Sequence, residues 1–446
     1  MLWRHLCLVR AVAASGLLTC SMLGASVAGE PRDPVPGPDS DARTVKVLDA
    51  EKAGSLAVEV RGQGQDRVRV SLKNTSAGRL NVVLPPGLVA SSSVGQGAAG
   101  GGGGGFQSMG LGAATNRSGG FGQFAGNRSE PGFRSVAPAD PEGVVVPAGQ
   151  RVDLEIPAVC LNFGMPTPTA KNRFRLVDVE DYTRDPRARK ALKSLATIGT
   201  SHGTAQAAMW RICNNVPFEV MVDHPSNAVN PSEVALASRF LDALDQSAEM
   251  VDPAYLSEAR VFVTIEGDGP MAKDAIRLAG SLEGLRVLGL PVRISSAGEA
   301  PKAVAPALHL GVTLLAGPKG ETRGRVEVQA ATGLDEGAWT PLGQVSFREN
   351  SAGSAIDAAS LARAIDHAVG AAFVTARVAK RSPGSTTLKI ENRLPFTVAG
   401  LTIKAGTSSG SPLVTVSALG VGPGRTGLAT IPANGGTVDR VELNGL

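Results

Sequence analysis

The sequence predicts a mixed, multidomain protein: an N-terminal immunoglobulin-like β-sandwich, a central helical segment, an α+β domain and a small C-terminal β-sandwich. Three observations carry that expectation. Short runs alternating apolar and polar residues occupy both ends of the chain, helix-period patterns opened by Asx-Pro pairs fill its middle, and strand and helix patterns alternate from about residue 259. A chain of 446 residues is too long for one core of usual size, so two to four domains are expected. With 43% hydrophobic residues but only 4% aromatics, the cores must be filled by Ala, Val, Leu and Ile. The net charge of +4 is spread along the chain with both signs mixed. No basic stripe with interleaved aromatics is present, so nucleic acid is not an expected partner.

The first 28 residues set the compartment. Arg4, His5 and Arg10 precede an uncharged run from Ala11 to Ala28, and Ser26-Val27-Ala28 supplies the small residues of a cleavage site. Residues 1–28 therefore read as a secretory signal peptide. The run is rich in Ala, Ser, Gly and Thr, which suits a cleaved leader better than an anchor, and Cys20 follows Thr19 instead of the small residue of a lipobox. The mature chain is expected to be exported, whether secreted, periplasmic or at the cell surface, with no transmembrane segment. Residues 29–43 form a Pro- and Asp-rich linker.

Residues 44–165 carry the first β domain. Val45–Val47, Leu56–Val60, Arg67–Leu72, Leu80–Leu84, Val144–Val146 and Val152–Ile156 read as strands separated by turns such as Asn74-Thr75-Ser76-Ala77-Gly78 and Pro147-Ala148-Gly149. A Gly-rich insertion at about 91–131 interrupts them, and its composition is that of a disordered loop. Asn74, Asn116 and Asn127 stand in glycosylation sequons.

Residues 166–257 read as helical. Asp185-Pro186, Asn230-Pro231 and Asp252-Pro253 each place a capping side chain before a proline at the first helical position, and Asn230 with Glu233 has capping-box spacing. Residues 258–381 form the α+β domain: a strand at Arg260–Ile265, a helix at Ala272–Leu282, an extended run from Leu285 to Ile294 broken at Pro291, and a hairpin of Ala307–Leu315 with Arg325–Ala330. A strand near Gln344–Phe347 and a long helix from Ala355 to Val378 follow. Ser382-Pro383-Gly384-Ser385 then breaks the chain. In the C-terminal domain, residues 385–446, Thr387–Asn392 followed by Phe396-Thr397-Val398 echoes Val70–Asn74 followed by Leu80-Asn81-Val82.

Catalytic and metal signatures are sparse. Gly422-Pro423-Gly424-Arg425-Thr426-Gly427 matches the dinucleotide pattern, but a strand follows it where a helix would have to open, so it reads as a turn. His202, His224, His309 and His367 lack metal-pair spacing and neither mature cysteine has a C-x-x-C companion, so no metal, cofactor or catalytic residue is expected. Each histidine reads as a solvated turn residue.

The stretch from Cys160 to Trp210 holds what chemistry remains. In an exported protein, Cys160 and Cys213 are first a disulfide candidate, closing a loop of about fifty residues worth about 4 kcal/mol in the chain-entropy model. Ala205-Gln206-Ala207-Ala208-Met209-Trp210 also resembles the Gln-x-Ala-x-Trp motif of bacterial surface thioester domains, and the resemblance covers about residues 157–215. It implies covalent adhesion: the Cys160 thiol and the Gln206 side chain would form an internal thioester beside Trp210, open to a host amine. Position 205 is Ala where that family carries Thr or Gln, and Cys160 lacks the family's aromatic neighbours. The reading is thus an exported, non-enzymatic binding, adhesion or envelope-scaffold protein with a surface or envelope partner. The thioester is the main alternative, and a hydrolase site within the α+β domain a weaker one.

Overall fold

A computed structural model describes residues 42–92, 105–112, 143–198, 200–224, 228–251, 260–296, 301–331, 337–349, 356–405, 413–433 and 436–446. The stretches read as a leader and, up to residue 41, as a linker, most of the Gly-rich insertion, Asn116, Asn127 and the Asp252-Pro253 pair lie outside the described residues.

The first β domain is organised by a hairpin of β2 (Leu56–Gly62) and β3 (Arg67–Asn74), whose alternation puts Val68, Val70 and Leu72 fully inside. Strand β8 (Arg151–Cys160) pairs β3 with its first part and β6 (Met109–Leu111) with its last. Strands β5 (Leu88–Ser91) and β9 (Arg173–Asp178) then return the sheet to β2, so β2-β3-β8-β6-β5-β9 close into a barrel. Beside it lies a three-stranded sheet of β1 (Arg43–Lys46), β4 (Leu80–Val83) and β7 (Val144–Val146), with helix α1 (Val47–Lys52) joining the two.

Closure brings two differences from the sequence reading. The barrel needs β9, which lies beyond the expected boundary at residue 165. It also needs β6, inside the insertion read as a disordered loop. Met109 and Leu111 are buried, and Gly110 lies so close to Leu192 that a Cβ would come within 2.4 Å of that side chain. Three residues of the right size thus order the centre of a segment whose average composition argues against order.

The helical segment follows the barrel: α2 (Val179–Tyr182), α3 (Pro186–Ile198), α4 (His202–Asn214), α5 (Phe218–Val222) and α6 (Pro231–Gln246). Asp185 accepts from the Arg187 N–H ahead of α3, and the Asn230–Glu233 capping box opens α6 as its spacing predicts.

The α+β region is a six-stranded mixed sheet in the order β11-β12-β10-β13-β14-β15. Its strands are β10 (Arg260–Gly267), β11 (Arg286–Val287), β12 (Leu290–Ile294), β13 (Ala307–Ala316), β14 (Thr322–Ala331) and β15 (Thr340–Glu349), with helices α7 (Ala272–Leu282) and α8 (Ala358–Phe373). The run from Leu285 to Ile294 is not interrupted at Pro291, which sits in β12 opposite Arg286. It turns at Leu288 and Gly289, both at positive φ.

The expected helix to Val378 ends five residues early, at Phe373. Val374, Thr375 and Val378 are β-branched and start β16 (Val374–Ser382) instead. Ser382–Ser385, read as a break between domains, is the tip of a hairpin joining β16 to β17 (Ser385–Asn392). Strand β20 (Thr426–Pro432) completes that sheet, and β18 (Val398–Ala405), β19 (Leu413–Val421) and β21 (Gly436–Leu443) form the last one.

The echo between the two ends of the chain extends to individual hydrogen bonds. Asn74 ends β3 and Asn392 ends β17, and both are fully buried. The Asn74 Oδ1 accepts from the Ser76 N–H, and its Nδ2 donates to the carbonyls of Gly78 and Val146. The Asn392 Oδ1 accepts from the Leu394 N–H, and its Nδ2 donates to those of Phe396 and Val421. The backbone N–H of each asparagine donates to the residue just before the third strand, Gln150 or Arg425, across a turn whose glycine has positive φ, +69° at Gly149 and +66° at Gly424. The β2-β3-β8 part of the barrel and the sheet β16-β17-β20 share one strand order, so one β-turn-β arrangement recurs at the two ends of the chain, inside a closed barrel in one case and in an open three-stranded sheet in the other.

Residues 42–446 gather into one compact unit with two principal cores. The first spans Val47 to Val251 and includes the C-terminal Leu446, and the second spans Val261 to Leu443 and includes Leu236 of α6. Each core therefore holds a residue supplied by the other's stretch of chain.

Candidate functional site around Cys160 and Gln206

Strand β8 sets the position of Cys160. Its pairing with β3 ends at Pro157, and past that point one edge of β8 must find other partners for its backbone. The Ala158 N–H donates to the carbonyl of Asp66, in the β2–β3 turn. Two residues on, the same edge meets helix α4. The Cys160 N–H donates to Gln206 Oε1 at 2.8 Å, and Gln206 Nε2 donates to the Cys160 carbonyl at 2.8 Å. A carboxamide carries a donor and an acceptor in one plane, as a peptide unit does, so Gln206 continues the ladder where the strand partner stops. On the opposite edge, the Leu161 N–H donates to the Ser108 carbonyl next to β6.

Helix α4 presents Gln206 because Ser201 caps its start, the Ser201 Oγ accepting from the Thr204 N–H at 3.3 Å. His202, Gln206 and Trp210 follow at four-residue intervals on one face. Trp210 packs edge-to-face on Phe163, with ring centroids 5.0 Å apart, and His224 lies against the same phenylalanine at 5.5 Å. The Asn214 Oδ1 accepts from the Phe163 N–H at 3.1 Å. Glutamine, tryptophan and asparagine thus dock one helix face along the end of β8.

The thiol points elsewhere. Cys160 Sγ donates to the carbonyl of Gln65 at 3.4 Å, and burial, reinforced by the negative charge of Asp66, pushes its pKa up to about 12. Such a thiol stays protonated and is a poor nucleophile. The sequence-predicted thioester pair is therefore brought together, yet the Gln206 amide is engaged by the Cys160 backbone and the Cys160 thiol by the Gln65 carbonyl.

The expected disulfide is not formed, since Cys160 and Cys213 are both free thiols. Cys213 is exposed and lies seven residues beyond Gln206, about 10 Å along the helix axis from the level at which Cys160 docks. That separation exceeds the reach of a disulfide without backbone movement.

His202 and His309 depart from the solvated-turn expectation. His202 is the first residue of α4, and its Nε2 is shut off from solvent and has no hydrogen-bond partner among the described residues. Burial lowers its pKa below the usual 6.5, opposed by the charge of Asp66 and aided by that of Arg425. His309 sits in β13, 8% exposed, within 3.2 Å of both the Thr264 hydroxyl and the Gln329 side-chain oxygen.

A second polar cluster, which the sequence reading passed over, lies at the starts of α4 and α6. Glu233 is 1% exposed and holds Arg425 in a two-point ion pair, at 2.7 Å to Nη2 and 3.1 Å to Nε. Its carboxylate also accepts from the Asn230 N–H. Arg425 Nη2 reaches the Ala228 carbonyl, and Asn230 Nδ2 donates to the carbonyl of Pro423. Glycines make the approach close: a Cβ at Gly422 would lie 2.6 Å from that of Ser201, and one at Gly203 would lie 2.1 Å from the Glu233 carboxyl carbon. Gly422–Arg425 is a turn that leads into β20 at Thr426, with no helix opening after it, as the sequence context predicts, and its arginine seats the second β module on the helical segment. Burial raises the pKa of Glu233, with Arg425 pulling it back.

Among the described residues no group of three His, Cys, Asp or Glu side chains is arranged to hold a metal ion, and no helix is long and apolar enough to cross a membrane. No protein-family model matches this chain, and no curated protein matches it.

Proposed function

We propose that the chain is an exported, non-enzymatic binding or envelope-scaffold protein whose two β modules, used as immunoglobulin-like sandwiches are, support edges and loops that engage a partner. The observation that carries this reading is the engagement of Gln206. The side chain with the most chemical promise hydrogen-bonds in both directions to a strand backbone, beside a protonated thiol. Glu233 and Arg425 are likewise spent on holding elements together. Export rests on the charged start, apolar middle and Ser26-Val27-Ala28 end of the leader. Fractionation of producing cells with N-terminal sequencing tests it: the mature chain should begin at Gly29 and lie outside the cytoplasm. A cytoplasmic chain beginning at Met1 would overturn the reading.

Covalent adhesion is the second reading, favoured by one observation. Cys160, Gln206 and Trp210, at 2%, 1% and 6% exposure, share one dry site. Closing a thioester expels ammonia as the Cys160 sulfur replaces the Gln206 amide nitrogen, so the two readings differ by one ammonia in intact mass.

A further inference from the structure

Strand β15 is the last strand of the six-stranded sheet, and among the described residues its only strand partner is β14. Between β15 and helix α8 runs an open groove of about 680 Å³. All five residues from Val345 to Glu349 line it. Val345 and Phe347 face the second core, Ser346 and Arg348 are exposed, and the backbone N–H and C=O groups on the side of β15 away from β14 have no strand partner among the described residues. The opposite wall is a face of α8 on which the half-buried Ala364, Ala368 and Ala372 recur every fourth residue, short side chains that leave room between helix and strand. The lining carries Arg348, Arg363 and His367 against one acid, Glu349.

We infer that this groove takes an extended acidic peptide segment of a partner protein, which adds to β15 as a further strand. The exposed edge supplies main-chain hydrogen bonds, the alanine wall accepts alternate small or β-branched side chains, and the two arginines pair with carboxylates on the others. A long edge strand is normally blunted by lysines, prolines or bulges. Here Pro341 and the register shift at Val328/Gln329 sit at one end of β15, and Val345–Glu349 at the other. The inference rests on the binding reading above and gives it a site.

Fluorescence anisotropy with a labelled alternating Glu/Val peptide tests it on the mature chain. Binding is expected, and the Arg348→Glu/Arg363→Glu double variant should weaken it by about tenfold or more with unchanged Tm, as should Ala368→Phe by filling the groove. A peptide of the same sequence with alternate backbone nitrogens methylated should not bind. Absence of Glu/Val binding, equal binding of a Lys/Val peptide, or equal binding of the methylated peptide would each overturn the assignment. So would a concentration-dependent dimer broken by the same substitutions, because the edge would then belong to a second copy of this chain. None of these outcomes alters the leader or the state of Cys160, so failure here is distinguishable from failure of the binding reading.

Discussion

Gln206 decides how the region around Cys160 is understood, because its carboxamide has one donor and one acceptor committed to one backbone residue. Gln206→Ala leaves the N–H and C=O of Cys160 buried without those partners, and each such group costs about 1–3 kcal/mol. The expected loss is about 2–6 kcal/mol for the two groups together, read by denaturant unfolding. If Gln206 served mainly as a thioester acyl group, the loss would be small. His202 gives a second test at this scale. Its folded pKa is depressed below the unfolded value near 6.5, so the unfolded chain binds the proton more readily. The stability that the neutral ring contributes is present above that value and is lost as pH falls through it toward the folded value. Between about pH 7.5 and about pH 5.5 the Tm of the wild type should fall more than that of His202→Asn, a change in the window where an ordinary histidine titrates. Parallel slopes would show that His202 does not titrate with folding.

At the scale of elements, the paired asparagine turns make a sharper comparison than either does alone. Asn74→Ala and Asn392→Ala each remove a buried side chain that accepts from one backbone N–H and donates to at least two carbonyls, so each should cost about 2–4 kcal/mol. Matching losses by chemical denaturation would agree with one recurring β-turn-β arrangement, whereas a near-neutral effect at either position would contradict it. The repeat was legible in the sequence as strand, asparagine turn and strand, because those residue types have local reasons to be there. Helix starts were legible for the same reason, since Asn230, Glu233 and Pro231 act within a few residues of one another. Barrel closure was not legible. It depends on Met109 and Leu111 finding Ala158 and Cys160 some fifty residues away in a Gly-rich segment, and no local pattern records that pairing. The end of α8 was missed because its apolar stripe runs on into β16, where helix and strand periodicities both place Val374 inside. Of the candidate site, Cys160, Gln206 and Trp210 were found as residues of interest. Their roles were hidden, because the sequence cannot show that Gln206 meets a backbone edge instead of a thiol, or that Arg425 reaches Glu233 across 192 positions.

On the scale of the whole molecule, the two cores are tied by a few specific contacts. Arg425 grips Glu233, Asn230 holds the Pro423 carbonyl, Leu446 enters the first core, and Leu236 enters the second. Arg425→Ala leaves a buried carboxylate without its partner, a change that typically costs about 3–5 kcal/mol. Because the pair also links the second β module to the helical segment, calorimetry of the variant should resolve two unfolding transitions where the wild type gives one. A single transition shifted as a whole would show that the cores are coupled elsewhere.

The central claim is that the Cys160–Gln206 contact is architecture, with a free thiol and an intact amide. Intact-mass spectrometry of the mature chain, alkylated under denaturing conditions with and without prior methylamine, addresses it directly. The account predicts a mass with no ammonia lost, alkylation at both Cys160 and Cys213, and no methylamine at Gln206. A mass lower by one ammonia with methylamine incorporated at Gln206, or a mass lower by two hydrogens with neither cysteine alkylated, would contradict it.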